Sequence, residues 1–202
     1  MESHLTNSDK YELLDIDMNR ICEEIRHEMM IKEFYRIEPK EIVKIQEAIG
    51  NCLELEIDVD GTQGEPTRLS FYTLHKQVVV IRKKQIDIKL FFELLVETFQ
   101  FSVGNNEEKI GIVLSVLLKT FLNVLDEETA VIYTYLCKAY FVNHQRFGNV
   151  EIYEEVNRYL RQYLGAAWSN DKIHRILLQL EGLGVIEFRE GMLEVKDKIY
   201  LG

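Results

Sequence analysis

Cysteine and proline are both scarce in this sequence, which has three cysteines and two prolines among 202 residues. Cys22, Cys52 and Cys137 are odd in number, lie far apart and form no Cys-x-x-Cys pair. This pattern argues against a disulfide framework and is typical of small buried hydrophobic side chains in a reducing compartment. We therefore expect a cytoplasmic protein.

Long apolar runs are also missing. Residues 1–10 are polar and do not resemble a secretory leader. The most apolar run, Ile110 to Leu118, is too short to span a bilayer and is ended by Lys119. The chain is nevertheless 47% hydrophobic, which suffices for a substantial core. We expect a folded protein without a membrane segment.

Basic residues are fewer than acidic ones. The chain has 24 Lys and Arg residues and 34 Asp and Glu residues, so its formal net charge is -10. The C-terminal part does not differ in sign: from Asp126 onward, nine basic and twelve acidic residues give a net charge of -3. Contacts to phosphate must come from Lys and Arg. The charge balance therefore does not favour DNA as a partner, although it leaves a local contact open.

Sequence motifs for catalysis are absent as well. The chain has neither a glycine-rich phosphate loop nor a Gly-x-Ser-x-Gly elbow. His27 and Glu28 begin like a zinc-protease helix, but Ile31 stands where the second histidine belongs. We therefore expect no enzymatic activity, no metal and no cofactor.

The patterns that are present begin with helices. Apolar residues from Leu13 to Phe34 recur at helical spacing, which predicts one helix over residues 9–37 or two helices with a break. Pro39 stands in the first turn of the next helix, which we expect to end at Gly50.

A small sheet is predicted next. Residues 53–60 alternate between apolar and acidic side chains, as in a strand with one buried and one acidic face. Further strands are predicted over residues 68–74 and 77–81, and the basic run Arg82, Lys83 and Lys84 is expected at the end of the latter. Because opposite charges stabilise neighbouring strands, this run either neutralises the acidic face or forms a secondary basic patch that contacts phosphate.

Two hydrophobic helices, over residues 90–101 and 107–125, complete the N-terminal part. The second is apolar around most of its circumference, which is typical of a core or a subunit interface. No flexible linker follows, so we expect the N-terminal and C-terminal parts to pack rigidly.

The C-terminal part has the order helix, helix, helix, hairpin. Asp126 is a suitable cap for a helix to about Val142, and a second apolar stripe ends at Gly165. A third helix should begin after Ser169 and end near Gly184. Glu190 and Gly191 then stand between two alternating segments as a two-residue hairpin signal.

These elements predict an α+β fold that is mostly helical. Residues 1–125 form N-terminal helices with a small antiparallel sheet, and residues 126–202 form a C-terminal winged helix-turn-helix module. The junction Leu180-x-x-Leu183-Gly184-x-Ile186 resembles the passage from recognition helix to wing in the winged-helix superfamily.

A narrower resemblance adds a functional expectation. Leu125-Asp126, Tyr135-Leu136, residues 151–155 and the same junction resemble the C-terminal module of MukE-type accessory subunits of bacterial SMC complexes. The N-terminal part does not follow that pattern. The resemblance implies a subunit of an SMC-type ATPase complex, in chromosome organisation or in defence against foreign DNA.

The third helix of this module presents the candidate contact surface. A helical wheel places several polar side chains and one leucine opposite the core face, and a basic residue stands at the hairpin tip. The candidate contacts to DNA or to a partner are Lys172, His174, Arg175, Leu178, Gln179 and Arg189. Arg, Lys and Gln can read base edges, but Asp171 has the wrong sign for phosphate and Leu178 suits a protein surface better.

Three functions remain open on the sequence alone. The leading hypothesis is a non-enzymatic accessory or adaptor subunit that binds a larger protein partner, and also itself if the apolar helix 107–125 or the long first helix is an interface. The first alternative is a dimeric winged-helix transcriptional regulator that binds DNA. The second is an acidic immunity or inhibitor protein that covers a basic active site.

Overall fold

The fold is α+β and mostly helical, with two small antiparallel sheets. A computed structural model of the chain describes residues 5–31, 36–58, 70–74, 77–100, 106–122 and 125–201. The α-helices are α1 (Asn7–Leu13), α2 (Met18–Ile31), α3 (Pro39–Cys52), α4 (Ile88–Phe99), α5 (Asn106–Phe121), α6 (Glu127–Cys137), α7 (Glu151–Leu164) and α8 (Asn170–Gly182). The strands are β1 (Leu53–Asp58), β2 (Ser70–Leu74), β3 (Gln77–Asp87), β4 (Phe147–Gly148), β5 (Ile186–Arg189), β6 (Met192–Val195) and β7 (Lys198–Tyr200).

Side-chain caps fix where several helices begin. The Asp87 carboxylate accepts a hydrogen bond from the backbone N–H of Leu90 at the start of α4. Asp126 accepts one from Thr129 at the start of α6. These bonds satisfy amide groups that have no partner within the first helical turn, so the cap predicted at Asp126 is confirmed.

The N-terminal helices confirm one sequence expectation and differ from another. Of the two alternatives for residues 9–37, the described part shows two helices with a break after Leu13, where Asp15 adopts a left-handed φ of 54°. Gly50 does not end α3, which continues to Cys52. A Cβ atom at Gly50 would lie 2.2 Å from Asn7 Cγ, so this glycine provides room for α1 rather than a helix stop.

The first sheet has the strand order β1-β3-β2, and β7 also pairs with β3. The predicted strand 77–81 is longer than expected and places Arg82, Lys83 and Lys84 inside β3, not at its end. The reason is that β3 stays paired with β1 and β7 as far as Asp87, whose side chain caps the first turn of α4. In the register of β1 and β3, Glu56 lies opposite Lys83.

Strand β7 brings the C-terminal part into this first sheet. Ile199 pairs with Ile86, and Lys198 pairs with Asp87. Lys198 Nζ also lies 2.6 Å from Glu54 Oε1. The acidic face predicted for β1 is therefore neutralised in part by a lysine from the far end of the chain.

The C-terminal elements form their own three-stranded sheet in the order β4-β6-β5. Glu190 and Gly191 connect β5 to β6 with φ values of 51° and 78°, a pair of left-handed residues typical of two-residue hairpins. Helix α7 ends at Gly165, which has a φ of 67°. The hairpin turn and this helix end agree with the sequence predictions.

Of two further helix ends, one was predicted too late and the other correctly. Helix α5 ends at Phe121, whereas the predicted helix extends to Leu125; the apolar pattern continues because Leu122 and Leu125 are buried beyond the helix. Helix α6 ends at Cys137 and continues as a π-helical turn over Lys138–Val142, so the helical segment ends at Val142 as predicted.

One hydrophobic core connects the two parts of the chain, with buried side chains from α2, α3, α4, α5, α6, α7 and α8. Cys22, Cys52 and Cys137 are buried free thiols, as expected. An ion pair lies within this core: Lys109 Nζ on α5 is 3.8 Å from Glu41 Oε1 on α3, and both side chains are almost fully buried. Lys109 also donates to the carbonyl of Arg36 at 3.2 Å.

Candidate functional site

Helix α8 is built with one buried face and one exposed face. Ser169 caps its first turn by accepting a hydrogen bond from the backbone N–H of Lys172 at 3.3 Å. The side chains that recur at helical spacing, Ile173, Ile176, Leu177 and Leu180, are buried as predicted. The face opposite them is thereby turned toward solvent.

The exposed face contains the residues that the sequence singled out. His174, Arg175, Leu178 and Gln179 are exposed, and Lys172 is partly buried. Leu178 leaves 51% of its surface in solvent and adds an apolar group to an otherwise polar face. The structure therefore brings these five residues together on α8.

Lys172 is held by residues of its own chain. Its Nζ lies 2.6 Å from Glu128 Oε1 at the start of α6 and 4.0 Å from the centre of the Trp168 ring. An ammonium group gains from both a carboxylate and an aromatic face. To contact a phosphate, Lys172 would have to leave both.

Arg189, beside the hairpin turn, is neutralised in the same way. Its Nε lies 2.8 Å from Glu187 Oε1 and 3.7 Å from Glu194 Oε2. Lys196 pairs with the same Glu187 carboxylate. Hydrogen bonds from Arg189 and Lys196 lower the pKa of Glu187 to about 2, so this carboxylate stays ionised beside the two cations.

Two further polar side chains of the face have partners. The Tyr153 hydroxyl and His174 Nδ1 are 2.9 Å apart. Gln179 Oε1 accepts a hydrogen bond from Thr129 Oγ1 at 3.4 Å. Arg175, in contrast, makes no hydrogen bond or ion pair with the described part of the chain. Arg175 and Leu178 therefore form the part of the face that is available to an incoming molecule.

The candidate secondary patch lies elsewhere, in β3. The side chains of Arg82 and Lys83 are outside what the structure describes, and only their backbone positions in the strand are known. Lys84 is partly buried and lines a polar cavity of about 470 Å³ together with Arg20, Lys119 and the acidic residues Asp15 and Asp17. This cavity therefore has mixed charges, and the basic patch of Arg82, Lys83 and Lys84 stays a prediction.

The carboxylate partners of Lys172 and Arg189 were not identified from sequence. The excess of acidic over basic residues in this part is the available signal. Lys172 and Glu128 are 44 residues apart and meet only in the tertiary structure. Glu187 and Arg189 lie two residues apart on one strand face, a spacing that the alternation of a strand could have indicated.

No group of His, Cys, Asp and Glu side chains suited to a metal ion occurs in the described ranges. Within the same ranges, none of the helices combines the length and apolar character needed to cross a membrane. The sequence matches no known protein-family model, and no curated protein or solved structure is significantly similar to it.

Proposed function

We propose that this chain is a non-enzymatic accessory or adaptor subunit that binds a larger protein partner through the exposed face of α8. In this proposal residues 126–201 are a winged-helix module, with α8 in the position of the recognition helix and the β5–β6 hairpin as the wing. The order of α6, α7, α8 and the β4-β6-β5 sheet supports this assignment.

The observation that carries the proposal is the internal pairing of the basic side chains. Lys172 and Arg189 each lie within 3 Å of a carboxylate oxygen of the same chain. A protein that binds DNA depends on cations offered to phosphates, and each contact releases counterions. With these cations paired and Leu178 exposed, the face is suited to a mixed polar and apolar protein surface.

The class of partner follows from the resemblance to MukE-type subunits, and we propose an SMC-type ATPase in chromosome organisation or in defence against foreign DNA. The net charge of -10 is consistent with docking beside a basic or DNA-bound partner, because it favours encounter with positive surfaces and opposes stray binding to nucleic acid.

Fluorescence anisotropy on a random duplex at about 50 mM and about 200 mM salt tests this proposal. We expect no binding below roughly 100 μM, the weak limit of typical non-specific affinity. We expect the double variant Glu128→Gln with Glu187→Gln to gain salt-sensitive DNA binding, because it removes the carboxylates that pair with Lys172 and Arg189.

The control for this variant is Glu23→Gln with Glu154→Gln, which changes the net charge by the same amount at other exposed sites. Tight wild-type binding that Arg175→Glu abolishes would favour the transcriptional regulator instead.

Affinity purification from the host tests the partner directly. Arg175→Glu with Leu178→Asp should lose the partner that the wild type retains. The matched control is Arg161→Glu with Val43→Asp, which changes the same residue types at exposed positions on α7 and α3. Retention of the partner by the α8 variant would overturn the assignment of this face.

A further inference from the structure

A second concave surface lies where α4, the start of α5 and the π-helical turn meet. It is a groove of about 380 Å³. None of the residues that line it belongs to α8 or to the β5–β6 hairpin, so its role does not depend on the function proposed for α8.

The floor of the groove is apolar. Phe92 and Ile110 are buried beneath it, whereas Val96 and Val142 are each 39% exposed. Concave apolar surface of this kind is where soluble proteins bind ligands or partner side chains.

The rim of the groove is acidic. Glu93 and Glu97 are exposed and lie one turn apart on α4, and Glu107 projects from the first turn of α5. Lys138 is the basic residue among those that line the groove, and its Nζ is 2.6 Å from Glu107 Oε2. Three carboxylates against one paired ammonium give the rim a negative charge that is complementary to a cationic partner.

The π-helical turn is a further feature of the groove. Lys138 and Val142 are the two ends of this turn and both line the groove. A π-helical turn is a rare structure that is frequent at functional sites.

We propose that this groove binds a basic amphipathic helix of a protein partner. Apolar side chains on one face of the helix would contact Val96 and Val142, and flanking Lys or Arg side chains would pair with Glu93 and Glu97. Helix-in-groove recognition of this type uses apolar anchors at i, i+3, i+4 and i+7.

The probe for the test is a fluorescein-labelled synthetic peptide of about five helical turns, roughly 18 residues. It has leucine at the anchor spacing and Lys or Arg on both flanks. One comparison peptide has the same composition in scrambled order, and the other has Glu in place of every Lys and Arg. Anisotropy titration with the full chain should show the basic amphipathic peptide binding at least about tenfold more tightly than either comparison.

Variants of the groove then locate the binding. Val96→Ser with Val142→Ser, and separately Glu93→Lys with Glu97→Lys, should each weaken binding at least about tenfold. The control Glu23→Lys with Glu154→Lys has the same change in net charge and should stay within about twofold of the wild type. Circular dichroism and a thermal melt establish that each variant is folded.

Other outcomes would overturn the proposal. Equal binding of the scrambled peptide, or equal losses in the rim variant and its control, would mean that the peptide responds only to bulk charge. Sedimentation of the peptide-free chain tests a second copy as the occupant. A dimer that Val96→Ser with Val142→Ser dissociates would assign the groove to self-association.

Discussion

Glu187 is the residue where pairing on the C-terminal hairpin converges, since Arg189 and Lys196 both donate to its carboxylate. Both cations are thereby occupied by a carboxylate of their own chain. A surface ion pair contributes little to the free energy of unfolding. The main effect of these two pairs is that neither cation is available to a bound molecule.

The lowered pKa of Glu187 predicts a contribution to stability that is lost in acid. The pKa lies near 2 in the folded chain against an ordinary value of 4.5. A carboxyl group with a lowered folded pKa stabilises the fold above its unfolded pKa and loses this contribution as the pH falls through the folded value. Urea unfolding should therefore show Glu187→Gln less stable than the wild type above about pH 5, with the difference vanishing toward about pH 2.

The matched control for this titration is Glu154→Gln, an exposed glutamate that makes no ion pair with the described residues. Its stability should stay parallel to that of the wild type across the same pH range. About 1 M salt should reduce the effect of Glu187→Gln, because exposed charges are screened. A pH-independent difference for Glu187→Gln would show that its ionisation is not coupled to folding.

At the scale of elements, the pair Lys109–Glu41 joins α5 to α3 inside the core. Removal of Lys109 leaves the buried Glu41 carboxylate with a hydrogen bond from the Glu38 backbone N–H but without its cation. Loss of one partner of a buried ion pair typically costs about 3–5 kcal/mol. We expect Lys109→Met to lower the free energy of unfolding by this amount in urea titrations. The double variant Lys109→Met with Glu41→Gln should recover part of the loss, because it removes the second charge and keeps the side-chain volume.

The control for this pair is Lys44→Met, a change of the same type at an exposed position of α3. Such a surface change should alter the free energy of unfolding by no more than about 0.5 kcal/mol. A double variant that loses as much as the sum of its two single variants would contradict the coupling between Lys109 and Glu41.

Elements with a strong local signal could be predicted from sequence. Helix α8 has a cap at Ser169 and four apolar residues at helical spacing, and the β5–β6 turn has the Glu190-Gly191 pair. The features that were missed have no local signal. Strand β4 contains only two residues, too few to show an alternating pattern. The π-helical turn continues α6 without any change in apolar spacing, and Gly50 is explained only by its neighbour Asn7.

The candidate site was predictable in part for the same reason. The exposed and buried faces of α8 follow from the helical period alone. The pairing of Lys172 with Glu128 does not, because it depends on how α6 and α8 approach each other. The groove formed by α4, α5 and the π-helical turn was likewise not recognised, since its acidic rim and apolar floor come from separate segments.

For the whole molecule, β7 makes the stability of the first sheet depend on residues 198–200. Ile199 is buried and pairs with Ile86 in the first sheet. We expect Ile199→Ala to cost about 2–5 kcal/mol, the range for truncation of a buried isoleucine. Hydrogen exchange should show lost protection in β3 as well as near residue 199, because the two strands share hydrogen bonds.

The control is Val43→Ala, which truncates a side chain that is 51% exposed on α3. It should change the free energy of unfolding by less than about 0.5 kcal/mol. If Ile199→Ala left exchange in β3 unaltered, the pairing of β7 with β3 would not contribute to the stability of the first sheet.

The position of β7 also affects the order of events during synthesis. Strand β3 ends at Asp87 and β7 begins at Lys198, so the ribosome must add the intervening residues before the two strands can pair. At about 5–20 residues per second this takes roughly 5 to 20 s. During that time the nascent chain exposes the side of β3 that β7 will occupy, and an open strand edge is a site of aggregation. The order of synthesis therefore leaves residues 85–87 of β3 without β7 as their partner until residues 198–200 have been made.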